Sequence, residues 1–153
     1  MIQTNIIDML KLQVKDYEDH LYRIYIVHED DVIFYVGMAL LPMNRMIEHC
    51  YGGRGKGPSH LGNFIRSFAE EANNWQVDLL TLEDCKPYVD QYGTFSEGDE
   101  FWLKALPDQN GLRDGYWLTE AMRAAEGALI QHYHPCLNIA GNPNPMPLPE
   151  RYR

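Results

Sequence analysis

The sequence predicts an α+β domain: a small three-stranded antiparallel sheet flanked by helices. Three observations carry this. Two runs rich in Ile, Val and Tyr, 21–28 and 32–37, flank the acidic turn Glu29-Asp30-Asp31 and read as a β-hairpin. The run WQVDLLTLEDC, 75–85, reads as a third strand. Between and after these runs, apolar residues recur at helical spacing.

Residues 1–20 form an N-terminal extension whose apolar cluster, Ile6, Ile7, Met9 and Leu10, fits the start of a helix or an extra strand. After the hairpin, Gly37 is expected to let the chain turn out of the sheet without a side chain in the way. Pro42 suits the first turn of a helix, where its missing N–H costs little. Met43, Met46, Ile47 and Cys50 then supply a core-facing stripe, which puts Arg45 and His49 together on another face, away from the core. The loop CYGGRGKGPSHLGN is glycine-rich and basic, but its order does not match a phosphate-binding loop ending in GK[ST].

A second helix is expected over 60–73, with Leu61, Phe64, Ile65 and Phe68 inward, and a long one over 116–133, with Leu118, Met122, Ala125 and Leu129 inward. Between them, 86–115 reads as an irregular insertion with one short helix near 98–105. Its aromatics Tyr88, Tyr92, Phe95, Phe101 and Trp102 are read as exposed. Residues 140–153 read as an extended tail, with Pro143, Pro145, Pro147 and Pro149 in alternation.

At 153 residues the chain is long enough for one ordinary core. No apolar run approaches the roughly 20 residues that span a bilayer. Cys50, Cys85 and Cys136 are widely spaced with no CxxC pair, which points to a reduced, cytoplasmic protein and not to a disulfide framework. The net charge of −9 is unfavourable for long-range attraction to nucleic acid, but it is unevenly placed. Segment 70–100 carries nine acids against Lys86 alone, whereas 42–66 carries Arg45, Arg54, Lys56 and Arg66 against Glu48. A local basic face therefore survives on an acidic chain.

Glu126 lies in AAEGALI, beside Gly127 and at the edge of an apolar stripe. It reads either as a surface glutamate or as a hard-metal ligand with room for a close approach, since one carboxylate with phosphate and waters can hold Mg²⁺. His132, His134 and Cys136 form a soft-ligand group, but Pro135 breaks the helix between them and no second ligand pair stands at zinc-finger spacing.

In combination these residues resemble the GIY-YIG nuclease family. The order is RIYIV, FYVG, an arginine eight residues after that glycine, a histidine four later, then AEGALIQHYHPCLN. Tyr25 matches the tyrosine of the first half-motif, and Tyr35-Val36-Gly37 the second. Arg45 and His49 match the first-helix positions, Glu126 the metal-binding glutamate, and Asn138 the asparagine after a Pro-x-Leu turn. The resemblance runs from about 21 to 139. Arg23 departs from it, standing where the family name has glycine.

The resemblance implies a single-site, metal-dependent endonuclease acting on DNA with Mg²⁺ or Mn²⁺. Glu126 would hold the metal, Arg45 would clamp the scissile phosphate, and Tyr25 or Tyr35, assisted by His49, would activate water. A free tyrosine, with a pKa near 10, serves as base only if its surroundings lower that value. Asn138 would fix the geometry of the site and Gly37 would provide backbone space. Arg54, Lys56 and Arg66 are candidate nucleic-acid contacts. Cutting both strands would call for two sites, hence a homodimer with the 86–115 aromatics as its interface. The competing expectation is a catalytically silent protein of the same fold that binds a protein partner, or mimics DNA, through its acidic 70–100 face.

Overall fold

The computed structural model describes residues 1–53, 55–106 and 115–153. Among them are strands β1 (Ile2–Asn5), β2 (Tyr22–Glu29), β3 (Val32–Met38) and β4 (Gln76–Thr81). The helices are α1 (Ile6–Leu10), α2 (Pro42–Tyr51), α3 (His60–Ser67), α4 (Leu82–Tyr92), α5 (Asp99–Ala105) and α6 (Tyr116–Tyr133). All strand pairs are antiparallel, in the order β1-β4-β2-β3.

The sheet thus has four strands, not the three expected. The fourth comes from the ambiguous N-terminal stretch, which is both strand and helix. Ile2–Asn5 covers the outer edge of β4 and gives its backbone groups partners. Asn5 then accepts a 2.8 Å bond from the Asp8 N–H and caps α1.

Helices cover both faces of the sheet. On one, Ile24, Ile26, Val36 and Leu80 pack against α4, α5 and α6 through Cys85, Val89, Trp102, Met122, Ala125 and Leu129. On the other, Tyr25, Val27, Val77 and Leu79 pack against α1, α2 and α3 through Met9, Met46, Leu61 and Phe64. Alternation over Ile24–Val27 and over Val77–Leu80 divides these sets, as the pleat requires. Within these runs parity commits each side chain to one face.

The expected third strand is too long. Gln76–Thr81 is strand, but Thr81 and Asp84 form a reciprocal capping box, with bonds of 3.1 and 2.9 Å, and helix α4 begins at Leu82. The insertion is correspondingly more regular than expected, with α4 and α5 both packed on α6. Its aromatics are not an exposed set: Trp102 is buried, and Tyr88, Tyr92 and Phe95 pack against the core. Residues 107–114 of the insertion lie outside the described residues. The expected second helix stops at Ser67, with a separate 3-10 turn at Glu71–Asn74.

The proline-rich tail ends in a 3-10 turn, Glu150–Tyr152. Tyr152 is buried among Phe34, Phe64, Phe68 and Trp75, and Trp75 Nε1 donates to its hydroxyl at 3.0 Å. Aromatic contacts of this kind are worth about 0.5–1.5 kcal/mol each beyond area burial. They hold the tail on the face that carries the site.

Acidic residues in 70–100 do not form one uniform face. Asp78 faces His28, Asp84 binds the N-terminal ammonium, and Asp90 and Asp99 share Lys86. The three cysteines are unpaired, and no described helix is long and apolar enough to cross a membrane.

Candidate active site

Tyr25 and Gly37 are directly opposite in the β2–β3 ladder. The Tyr25 side chain lies across Gly37: a Cβ there would overlap the ring carbon Cζ and the hydroxyl oxygen. Gly37 is therefore not where the chain leaves the sheet, since β3 continues to Met38. The glycine is required by the tyrosine that covers it.

A β-bulge keeps the second tyrosine on the same face. Val27 pairs with Tyr35 and His28 with Ile33, leaving Phe34 as the extra residue. Phe34 and Tyr35 consequently face the same side, and the Tyr25 and Tyr35 ring centroids stand 6.1 Å apart. Asn138 holds the outer edge of β3 beside them. Its Oδ1 accepts from the Val36 N–H at 2.9 Å and its Nδ2 donates to the Val36 carbonyl at 2.8 Å. One side chain thus stands in for a fifth strand at the residue between Tyr35 and Gly37.

His49 is not on an outward face of α2. It is 1 % exposed, because Tyr25 lies on one side of it and the loop leading into α3 on the other. The Tyr25 hydroxyl and His49 Nε2 are 2.7 Å apart, and His49 Nδ1 is 2.5 Å from Ser59 Oγ. Conversely, Met43 and Ile47 of the expected core stripe are only half-buried. Burial, with the Arg45 charge adding to it, lowers the His49 pKa to about 4, so the imidazole is neutral at ordinary pH.

Burial raises both tyrosines, Tyr25 well above its ordinary value. The neighbouring charges act in opposition on each: Glu126 raises and Arg45 lowers. Tyr25, Tyr35, Arg45 and Glu126 thus share one electrostatic neighbourhood although 101 positions separate Tyr25 from Glu126 in the chain. Glu126 is half-buried on α6, and that burial raises its carboxyl pKa, opposed by the Met38 backbone N–H at the end of β3. No ion pair neutralises it among the described residues. Beside it Gly127 leaves open space, where a Cβ would meet nothing within 4 Å.

Arg45 is 41 % exposed and lies 3.3 Å from Glu48, one turn along α2. Such a surface pair is worth at most about 1 kcal/mol, so a phosphate can displace it. Cavities of about 460 and 480 Å³ flank Arg45 on either side, the first lined also by Lys56 and Ser59, the second by Met38, Leu40 and Asn44. Of the expected nucleic-acid contacts, Lys56 borders this groove. Arg66 is exposed on α3 and lines neither cavity. Arg54 lies outside the described residues.

This arrangement, two tyrosines and a histidine on one sheet face with an arginine and an unpaired carboxylate at its edge, agrees with the sequence comparison. The chain matches the model of the GIY-YIG catalytic domain over residues 4–151. The chain belongs to the GIY-YIG family. This is a nuclease family, whose members generally use divalent metals. No match was found to a curated protein or to a solved structure.

For a GIY-YIG domain, Arg23 is the notable departure, and it does not crowd the tyrosines. Its wholly buried guanidinium donates to the carbonyls of Asp19 (3.0 Å), His20 (3.2 Å) and Leu40 (2.6 Å). It ties the chain before β2 to the turn that launches α2. Among the described residues no group of three or more His, Cys, Asp or Glu side chains could enclose a metal. His132 instead bonds Tyr92, and Cys136 donates weakly to the Pro147 carbonyl. Glu126, a hard oxygen donor with no ion pair among the described residues, fits the family's metal.

Two residues of the site escaped the sequence reading. Ser59 caps α3 by accepting from the Gly62 N–H, and it holds His49. Gly62 permits the close crossing of α2 and α3, since a Cβ there would strike the His49 carbonyl. The Ser-x-x-Gly before an apolar helix signals a cap, but nothing in it points to His49.

Proposed function

We propose that this protein is a metal-dependent endonuclease that hydrolyses DNA phosphodiester bonds at one site formed by Tyr25, Tyr35, Arg45, His49 and Glu126. The observation that carries the reading is that Arg45, whose one ion pair is a weak surface contact, and Glu126, with no ion pair among the described residues, act on the same two tyrosines. A folded domain retains such groups when a ligand completes them, and a phosphate with its cation would complete both.

Arg45 binds the scissile phosphate, its planar fork matching two non-bridging oxygens, and stabilises the charge that grows there during displacement. Glu126 holds Mg²⁺ or Mn²⁺. When bound, the metal supplies Lewis-acid stabilisation of the leaving 3′ oxygen. Tyr25 and Tyr35 stand where an attacking water can give up its proton. Burial and Glu126 keep each a protonated phenol, and Arg45 pulls both pKa values down toward the phenolate. His49, neutral, orients Tyr25 through the 2.7 Å bond. Asn138 acts through the backbone of Val36 and positions both tyrosine-bearing segments.

The test is cleavage of supercoiled plasmid in Mg²⁺, Mn²⁺ or EDTA, with branched DNA as a second substrate, beside the Glu126→Ala protein. Metal-dependent nicking or discrete bands that vanish in the variant are expected. Failure on every substrate in every metal, or full activity in the variant, rejects the reading. DNA binding that weakens steeply with salt is also expected, because phosphate contacts release counterions.

A further inference from the structure

We propose that Ser59 is a positioning residue that sets the tautomer of His49, so that His49 donates its Nε2–H to the Tyr25 phenol oxygen. The inference rests on the nuclease reading for its catalytic meaning, but the tautomer itself does not.

The argument is a count of donors along one chain of bonds. A backbone N–H can only donate. The Gly62 N–H points at Ser59 Oγ from 3.1 Å, so the serine oxygen is an acceptor at that end. Its other described partner is His49 Nδ1 at 2.5 Å. If Nδ1 carried the proton, Ser59 would receive two N–H groups and its own O–H would have no partner in this contact set. If Nδ1 is bare, the Ser59 O–H donates to it, and the one proton left over is the Tyr25 O–H, which has the Tyr35 oxygen to donate to. The imidazole, held neutral by burial, then carries its one proton on Nε2, which faces the Tyr25 oxygen at 2.7 Å. Donation therefore runs one way, from Gly62 through Ser59 and His49 to Tyr25.

That direction matters chemically. A base needs its conjugate anion stabilised, and burial works against a Tyr25 phenolate. An N–H aimed at the phenol oxygen favours the phenolate, and a chain of aligned donors strengthens it. It also leaves the Tyr25 O–H to bond the Tyr35 oxygen. In the reverse tautomer the Tyr25 O–H would donate to a bare His49 Nε2, and a phenolate there would have no donor from the ring.

The scaffold fixes Ser59 for this task. Its N–H donates to the His49 carbonyl at 3.0 Å, so it grips both the backbone and the ring of one residue. Gly62 lets α3 approach closely enough for both contacts, because its missing Cβ leaves room for that same carbonyl.

The experiment is long-range ¹H–¹⁵N NMR of the histidine rings in the full chain at neutral pH, without DNA or metal, with His49→Gln assigning the signal. A bare Nδ1 and a protonated Nε2 are expected, and the opposite pattern overturns the proposal. Ser59→Asp retains a cap acceptor but cannot donate to Nδ1, so it should move the proton to Nδ1. Ser59→Thr keeps the hydroxyl and should retain the tautomer. In cleavage assays, kcat should fall at least about tenfold in Ser59→Asp with KM little changed, a part of the roughly 10²–10⁴ that a positioned base supplies, and Ser59→Thr should restore it. Wild-type turnover in Ser59→Asp with a flipped tautomer would overturn the catalytic role. The nuclease reading fails separately, through Glu126→Ala.

Discussion

The β2–β3 hairpin carries a polar cluster at each end, and the two are neutralised differently. At the turn, Glu29 accepts from Arg151 and from the Tyr152 hydroxyl at 2.8 Å, while His28 Nε2 lies 3.1 Å from Asp78. Glu29 and Asp78 there each have a cationic or protonatable partner at hand. At the open end, Tyr25, Tyr35 and His49 are neutral and bonded or packed together, while Arg45 and Glu126 stand at the margin without a strong ionic partner. Paired charges in a fold hold segments together, here the tail to the hairpin. On the nuclease reading, the weakly paired Arg45 and Glu126 at the open end are completed by the phosphate and its metal.

The two histidines make the contrast sharper. Both are buried, and burial alone pushes an imidazole toward neutrality. His28 rises because the Asp78 carboxylate outweighs that effect. His49 falls to about 4 because burial, with the Arg45 charge adding to it, meets no anionic neighbour. An anion beside the ring reverses the direction that burial sets.

The largest test of this contrast exchanges the two ends. Glu126→Ala and Arg45→Ala should each lower metal-dependent plasmid cleavage by about 10²–10³ or more, with circular dichroism unchanged. Asp78→Asn at the turn should leave cleavage near wild type. Equal loss from Asp78→Asn would break the division between a structural and a reactive end.

Next in size is Gly37→Ala. The added Cβ overlaps the Tyr25 ring and must displace it, so both cleavage and stability should suffer, the latter by about 1–3 kcal/mol in urea unfolding. An unperturbed Gly37→Ala protein would mean that Tyr25 does not occupy this position in solution. Asn138→Ala should cost about 1–3 kcal/mol, because it leaves the Val36 N–H and carbonyl without their shared partner. Cleavage should fall alongside. Stability loss without activity loss would separate the edge of β3 from the site.

The smallest effect is on the pH dependence of stability, and the two histidines should bend it in opposite senses. For His49 the folded pKa is depressed below the ordinary 6.5. The unfolded chain therefore binds the extra proton first, and stability is lost as pH falls from about 6.5 to about 4. For His28 the folded pKa is raised, so its contribution is present below the unfolded pKa and lost as pH rises through the folded one. Denaturation midpoints across pH should show a flatter acid limb for His49→Gln and a flatter loss toward alkaline pH for His28→Gln. Identical curves in wild type and both variants would remove the electrostatic part of the contrast.

Most of the long-range logic was already legible in the chain. The two Ile-, Val- and Tyr-rich runs about the acidic turn Glu29-Asp30-Asp31 announced a hairpin, and the apolar spacing of 116–133 announced the helix that carries Glu126. Local rules suffice there, because period-two and period-3.6 patterns are properties of the chain itself. The family motif added the pairing of residues far apart, which no periodicity contains. Less legible were segments whose state depends on a partner. Residues 2–5 become strand because β4 offers an open edge, and 82–92, read as the end of a strand and the start of an irregular insertion, become helix from a capping box at Thr81 and Asp84.

Sequence alone therefore determined the hairpin, the helices that carry Arg45 and Glu126, and the candidate residues of the site. Only the tertiary structure decided that Gly37 serves the Tyr25 ring, that His49 is buried and neutral, and that Ser59 holds it. The physical reason is that space and dielectric are set by whatever packs around a group. A Cβ clash, a lowered imidazole pKa and the direction of a hydrogen-bond chain all depend on neighbours brought together from different parts of the chain.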